Sequence, residues 1–179
     1  MLNQAATPTA RSAGADREPT DRAPLYTPEQ RARRDASVWT LIQGVLAPVQ
    51  FLVFLVSLVL VLRFLATGMG EQAAALSVVA KTLTLYTIMV TGCIWEKVVF
   101  DRWLFAPAFY WEDVFSMLVL ALHTAYLAAW LTGWLLPTQQ MALALAAYAS
   151  YCINATQFIL KLRAARLDHA ARLAHGACA

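Results

Sequence analysis

The sequence predicts an all-α, polytopic membrane protein, with four transmembrane helices in an antiparallel bundle and both termini in the cytoplasm. Composition is the first reason. The 179 residues are 60% apolar and 14% charged, with a mean hydropathy of +0.54, whereas soluble domains are about half apolar and a quarter charged. The second is that four stretches reach the roughly 20 apolar residues that a membrane helix needs. The third is that short links join these stretches, which makes successive helices antiparallel neighbours.

The four predicted spans cover about residues 45–65, 73–97, 113–136 and 138–161. Pro48 is expected to kink the chain where the first span begins. Lys81 lies near the start of the second span, and we expect its side chain to extend back to the interface, as Arg63 does at the end of the first. His123 lies near the middle of the third span, where a histidine needs a partner or a ligand.

The distribution of positive charge predicts the orientation. Twelve of the 14 Lys and Arg residues lie in the N-terminal segment, the loop after the second span and the C-terminal tail. Four spans place these three regions on one side, and cytoplasmic loops carry the excess of Lys and Arg. Both termini are therefore expected in the cytoplasm, as in an inner-membrane protein.

The regions outside the spans differ in character. Residues 1–24 are rich in Ala, Thr, Pro, Arg and Asp, and we predict a disordered extension. Residues 25–167 form the predicted membrane domain, and residues 168–179 form a polar tail. Thr27, Pro28 and Gln30 have the spacing of a capping box at a helix start. An amphipathic helix is expected from there to about Gln43, on the cytoplasmic surface.

Each predicted span carries one stripe of polar residues at helical spacing, in its cytoplasmic half. If all four stripes turn inward, they form a polar pocket that opens toward the cytoplasm. The stripes contain Gln43, Gln50 and Ser57 on the first span, Glu96 on the second, Glu112, Ser116 and His123 on the third, and Ser150, Asn154, Gln157 and Lys161 on the fourth.

Plainer roles exist for the same residues. Polar side chains such as Asn154 and Gln157 often only hold membrane helices together. Glu96 can be an interfacial charge paired with Lys97 or Arg102. Asp113 can cap the third helix, since anions favour that end, and Glu112 can share that duty.

The loop from Trp103 to Trp111 is rich in aromatic residues, among them Phe109. One interpretation is an interfacial aromatic belt. The other is an apolar surface that stacks on a planar ligand, with Arg102 and Lys97 beside it to hold a carboxylate.

Several function classes are disfavoured. The three cysteines form no Cys-x-x-Cys pair, and three histidines are too few for a four-ligand metal site or a bis-histidine haem bundle. Nucleotide-binding glycine motifs are absent. Basic residues flank the spans, so nothing suggests nucleic acid.

Three segments, residues 25–68, 85–128 and 146–167, carry a more specific signal. The most distinctive part contains, in order, IWEKVVF, LFAPAF, WEDVFS and LHT. These segments resemble the 3-vinyl bacteriochlorophyllide hydratase family, the chlorophyllide a hydratases of purple bacteria and their relatives. The resemblance covers roughly Leu25 to Leu167.

The resemblance implies a hydro-lyase that adds water to the C3 vinyl group of chlorophyllide a or 3-vinyl bacteriochlorophyllide. The product carries a 3-(1-hydroxyethyl) group, on the route to bacteriochlorophyll. No cofactor is implied, since magnesium enters only within the substrate. The expected location is the intracytoplasmic photosynthetic membrane, with lipid and either a second copy or neighbouring pathway enzymes as partners. The alternative is a non-catalytic tetrapyrrole carrier or assembly scaffold.

The catalytic roles are hypotheses from the residue chemistry. A carboxylic acid in an apolar pocket keeps its proton near neutral pH, so Glu96 is the first candidate for the general acid. Glu112 or Asp113 would orient the water and stabilise the cation. His123 is either the axial ligand to the substrate magnesium, which we favour, or the base for the water.

Substrate-binding roles fall to the remaining polar and aromatic candidates. Asn154 and Gln157 would hold water or the ring-E keto oxygen. Arg102 or Lys97 would pair with the propionate. The macrocycle would be covered by Trp103, Phe109 and Trp111.

Overall fold

The computed structural model describes the backbone of residues 25–176 and the side chains of residues 25–167 and 170. Within that range the chain forms five helices and no strand, which confirms the all-α class. The predicted disordered extension, residues 1–24, and the last three residues of the tail lie outside the described residues. The helices are α1 (Pro28–Ala36), α2 (Val38–Thr67), α3 (Glu71–Phe100), α4 (Tyr110–Thr132) and α5 (Pro137–Gly176).

Four helices are long and apolar enough to cross a membrane. The candidate spans have hydropathies between 1.3 and 2.8, and they are Val38–Thr67, Glu71–Phe100, Tyr110–Thr132 and Pro137–Leu167. The most apolar, α2, leaves large side chains such as Leu52, Val56 and Val59 exposed. A continuous exposed apolar surface of this kind is unfavourable in water. The four apolar helices indicate a multi-pass membrane protein.

Helix boundaries differ from the predicted ones at two places. The third span was expected to reach residue 136, but α4 ends at Thr132, because Gly133 adopts a left-handed φ of 65° that terminates the helix. The first span begins at Val38 rather than near residue 45, and α2 continues through Pro48.

The start of α1 is as predicted. The Thr27 hydroxyl accepts the N–H of Gln30 at 3.2 Å, and the Gln30 side chain accepts the N–H of Thr27 at 2.9 Å. The expected continuation to Gln43 is wrong, since α1 ends at Ala36. Ser37 is extended there, and its hydroxyl caps α2 by accepting the N–H of Trp39.

The membrane helices associate as two close pairs. Helix α2 packs mainly on α3, and α4 packs mainly on α5, while the two pairs meet through fewer contacts. An apolar core that includes Phe54, Val61, Val78 and Met141 joins them. A second cluster, around Tyr26, Val99 and Phe109, lies where α3 ends and α4 begins.

Candidate functional site

Glu96, near the end of α3, and Asp113, near the start of α4, bring their carboxyl groups within hydrogen-bonding distance of each other. Both side chains are buried. An oxygen of Glu96 accepts the backbone N–H of Ala106 at 3.2 Å, and an oxygen of Asp113 accepts that of Phe105 at 2.9 Å. We call Glu96 and Asp113 the carboxyl pair. It is held by both helices and by the loop between them.

The loop at residues 101–109 is shaped to hold the carboxyl pair. Phe105 has a φ of 57°, a left-handed conformation that residues other than glycine seldom adopt. The two successive N–H groups at Phe105 and Ala106 each reach one carboxyl group. Unfavourable backbone conformations of this kind concentrate at functional sites.

The structure also bears on the plainer roles considered for the two carboxyl groups. Glu96 is not paired with Lys97, because Lys97 donates to Asp101 at 2.6 Å and so lowers the pKa of that exposed carboxyl. Asp113 lies in the first turn of α4, where an anion was expected, but its carboxyl accepts the N–H of Phe105 rather than capping the helix by a hydrogen bond. Arg102, at the start of the loop between α3 and α4, is exposed.

The predicted polar stripes of α4 and α5 do meet. Lys161 donates to the buried Glu112 at 2.6 Å, and the amide of Asn154 donates to the Ser116 hydroxyl at 2.9 Å. The amide oxygens of Asn154 and Gln157 have no hydrogen-bond partner among the described residues. Each can therefore accept a further hydrogen bond.

The aromatic loop divides into buried and exposed members. Phe109 is 2% exposed and stacks on Phe158 with ring centroids 5.8 Å apart. It also contacts Tyr26, whose burial raises the pKa of the Tyr26 hydroxyl. Trp103 and Trp111 are 62% and 68% exposed. In this arrangement Phe109 supports the loop from inside, while the two tryptophans present free faces.

His123 lies deeper on α4 and is fully buried. Its Nδ1 is 2.8 Å from the carbonyl of Val119 and must be the donor, because a carbonyl oxygen only accepts. Nε2 then carries the lone pair, and it has no hydrogen-bond partner in the part of the chain described. The ring lies 5.9 Å from that of Tyr148. A buried imidazole in this tautomer has its acceptor nitrogen free.

The expectation that Lys81 extends to the interface is wrong. Because α3 begins at Glu71, Lys81 lies ten residues, or about 15 Å, inside the helix. Its side chain has no exposed surface, and its nitrogen lies 3.9 Å from the centroid of the Tyr151 ring. The described residues provide no hydrogen-bond partner for this nitrogen.

Two tyrosines at this depth, Tyr126 and Tyr148, were not identified from the sequence as site residues. Tyr148 hydrogen-bonds Ser57 at 2.5 Å, and Ser57 also contacts Ser77 at 2.7 Å. The Tyr126 hydroxyl is buried and has no partner within the described residues. Single tyrosines in apolar runs look like core residues, so periodicity gave no signal for them. The deep polar layer is defined here as Ser57, Lys81, His123, Tyr126 and Tyr148.

A surface depression of about 600 Å³ lies elsewhere, toward the C-terminal end of α4. It is lined by Ala125, Ala128, Ala129, Thr132 and Trp134. No titratable side chain lines it, and it lies at the end of α4 opposite to the carboxyl pair.

Comparison with known proteins matches nearly all of the membrane region. The family described as "2-vinyl bacteriochlorophyllide hydratase (BCHF)" matches residues 26–164. This chain belongs to that family. It is 66% identical over 149 residues to the 2-vinyl bacteriochlorophyllide hydratase of Rhodobacter capsulatus, covering 83% of this chain and 86% of the relative. It is 68% identical over 145 residues to the protein of the same name from Cereibacter sphaeroides, covering 80% and 89%.

No solved structure matches the chain significantly. The match to the hydratase family contains the carboxyl pair, the aromatic loop and the deep polar layer, and it excludes the first 25 residues. The resemblance that the sequence segments indicated is thereby confirmed.

Proposed function

We propose that this protein hydrates the vinyl group of chlorophyllide a or 3-vinyl bacteriochlorophyllide to a 1-hydroxyethyl group during bacteriochlorophyll synthesis. The locants 2 and 3 denote the same substituent under two numbering schemes of the macrocycle. Membership of the hydratase family supports the reaction. The structural observation that carries the proposal is the carboxyl pair held by loop amides.

Hydration of a vinyl group needs an acid, a positioned water and a place for the released proton. A proton adds to the terminal carbon, and the cation forms on the carbon attached to the macrocycle, which delocalises it. Water then bonds to that carbon and loses a proton, so that one water molecule is added in total. A positioned acid and base in a site that excludes bulk water favour these steps.

The carboxyl pair suits both proton transfers. Two ionised carboxyl groups in contact repel each other, so the resting pair would hold one proton, and it would be fully ionised only beside the cation that it stabilises. We assign the acid role to Glu96, and we assign to Asp113 the orientation of water and stabilisation of the cation. The proton lost by the water returns to the pair. Glu112 remains the second candidate for the water-orienting role, although its ion pair with Lys161 already engages one of its oxygens.

His123 is proposed as the axial ligand of the substrate magnesium through its free Nε2. The nitrogen is fully buried, so the substrate would have to enter between the two helix pairs, which meet through fewer contacts than each pair makes internally. Asn154 and Gln157 would hold either the water, through their free amide oxygens, or the ring-E keto oxygen, through an amide nitrogen.

The loop and its cations would form the entrance. Trp103 and Trp111 would cover the macrocycle with their exposed rings, and Phe109 would support them. Arg102 and Lys97 would pair with the propionate at the membrane surface while the substrate enters, and Lys97 must first release Asp101.

The remaining features are proposed from charge and chemistry. The short links between spans favour an antiparallel bundle, and the excess of Lys and Arg favours cytoplasmic termini in the intracytoplasmic photosynthetic membrane. We propose that the reaction uses no cofactor, with magnesium present only in the substrate. Lipid surrounds the spans, and a homo-oligomer or a complex with neighbouring pathway enzymes would complete the wall around a macrocycle.

The direct test uses membranes from a host that makes no chlorophyll and that expresses this chain. Chlorophyllide a is added, and the pigment is followed by absorption and mass. We expect the red band to move to shorter wavelength, with a mass gain of one water, and neither change in membranes without the protein. Bound pigment of unchanged mass would instead favour a carrier, and absence of binding would favour a scaffold.

A further inference from the structure

We propose that Lys81 binds the carboxylate of the substrate's propionate side chain deep inside the bundle, so that the site selects the free acid over its esters. The inference rests on the proposed function, because it concerns the same substrate. It assigns a binding role to a residue at the other end of the proposed substrate position from the reacting vinyl group.

The first argument is that the Lys81 amino group lacks a partner. The side chain is fully buried, and its nitrogen makes no hydrogen bond and no ion pair to any carboxylate among the described residues. Its contact is with the face of the Tyr151 ring at 3.9 Å. Charged groups within membrane spans usually pair with one another or mark a ligand site. An anionic ligand would supply the hydrogen-bond acceptor and the opposite charge that the described residues do not give this amino group.

The second argument is that other unpaired groups lie at the same depth. His123 lies against Tyr148 and Lys81 lies against Tyr151, three residues further along α5, so the two groups are near each other. Nε2 of His123 and the hydroxyl of Tyr126, which is three residues further along the same face of α4, are also buried without partners in the described chain. Most buried polar atoms in proteins have a hydrogen-bond partner, so three unsatisfied groups on two neighbouring helices are unusual.

The third argument is the position of this layer relative to the carboxyl pair. Lys81 and Glu96 lie on the same helix, 15 residues or about 22 Å apart along its axis. His123 lies ten residues, or about 15 Å, from Asp113 along α4. With the vinyl group at the carboxyl pair and magnesium at His123, the far part of the macrocycle points toward Lys81. The propionate is the anionic group of this amphiphile, so its charge complements the Lys81 amino group.

The test compares chlorophyllide a with its methyl ester, which lacks the negative charge. Binding is titrated by pigment absorption in detergent with wild type, Lys81→Met, Lys81→Arg and, as a matched control, the exposed Arg63→Met. We expect wild type, Arg63→Met and Lys81→Arg to bind the acid roughly tenfold or more tightly than the ester. For Lys81→Met we expect equal and weak binding of both pigments.

Folding is checked by thermal unfolding without pigment. If Lys81 is reserved for a ligand, Lys81→Met unfolds at the same or a higher temperature, because an unpaired buried polar group is removed. A lower unfolding temperature would instead mean that Lys81 has a structural role, and it would contradict the inference.

The binding results separate this inference from the proposed function. Equal binding of acid and ester by wild type overturns the inference. So does a preference that survives Lys81→Met but disappears in Arg102→Met, since the carboxylate would then lie at the surface. Turnover is measured independently as the gain of one water. A Lys81-dependent preference without turnover would support the inference and contradict the proposed hydratase.

Discussion

The carboxyl pair and the deep polar layer are both buried polar regions of one bundle, yet they differ in how their atoms are satisfied. Glu96 and Asp113 each accept a loop N–H, and they contact each other. In the deep layer, Lys81, His123 and Tyr126 each keep a buried polar atom without a partner among the described residues. The first region is organised without a ligand, as its proposed catalytic role requires. The second has polar atoms that a ligand can complete.

The largest effect is expected from changing the carboxyl pair. Glu96→Gln keeps the size of the side chain but removes the acid, so we expect hydration to fall by about 10²–10⁴-fold. Pigment binding should remain, since the deep polar layer is intact. The product is quantified by mass after addition of chlorophyllide a. Glu71→Gln, an exposed change in the first turn of the same helix, is the control. Near-normal turnover in Glu96→Gln would falsify the assignment of Glu96, and Glu112→Gln would be tested next.

The next effect tests whether paired groups stabilise the ligand-free protein. Lys161→Met leaves the buried Glu112 without its cation, so we expect the free energy of unfolding to fall by about 1–3 kcal/mol. Thermal unfolding in detergent measures it, with the exposed Arg163→Met as control. Adding Glu112→Gln should recover part of the loss, because the two residues are coupled. If the single and double variants lose equal stability, the ion pair does not contribute as described.

A change at His123 is expected to cost a similar free energy, but in pigment binding rather than in unfolding. For His123→Ala we expect chlorophyllide affinity to fall roughly tenfold, equal to about 1.4 kcal/mol of binding free energy, because the magnesium would lose the proposed axial ligand. Absorption titration measures it, with the exposed Thr124→Ala as control. Unchanged affinity together with lost turnover would transfer His123 to the role of base.

The smallest effect is expected from removing the hydroxyl groups of two tyrosines in the deep polar layer. Tyr148→Phe removes a hydroxyl bonded to Ser57, and we expect a loss of about 1 kcal/mol in the free energy of unfolding without pigment. Tyr126→Phe removes a hydroxyl that makes no hydrogen bond within the described residues, so no loss is expected. Parallel thermal unfolding of the two variants measures the difference. Equal losses would show that the Tyr126 hydroxyl is satisfied in the free protein.

Much of the fold follows from local sequence properties. The four apolar stretches predicted the spans, because a bilayer selects length and hydropathy directly. The capping box at Thr27 predicted the start of α1, since its hydrogen bonds join residues three apart. Helical spacing also predicted that the polar stripes of α4 and α5 meet, and the contact between Glu112 and Lys161 agrees with that prediction.

The sequence by itself determined the helical class, the number of spans and the family, because these depend on composition and on residues close together in the chain. Only the tertiary structure decided which groups meet. It paired Glu96 with Asp113 through a loop whose left-handed Phe105 no periodicity predicts. It also buried Lys81 against Tyr151, about 70 residues away in sequence. Contacts between helices depend on their rotation and tilt, which packing of the whole bundle sets.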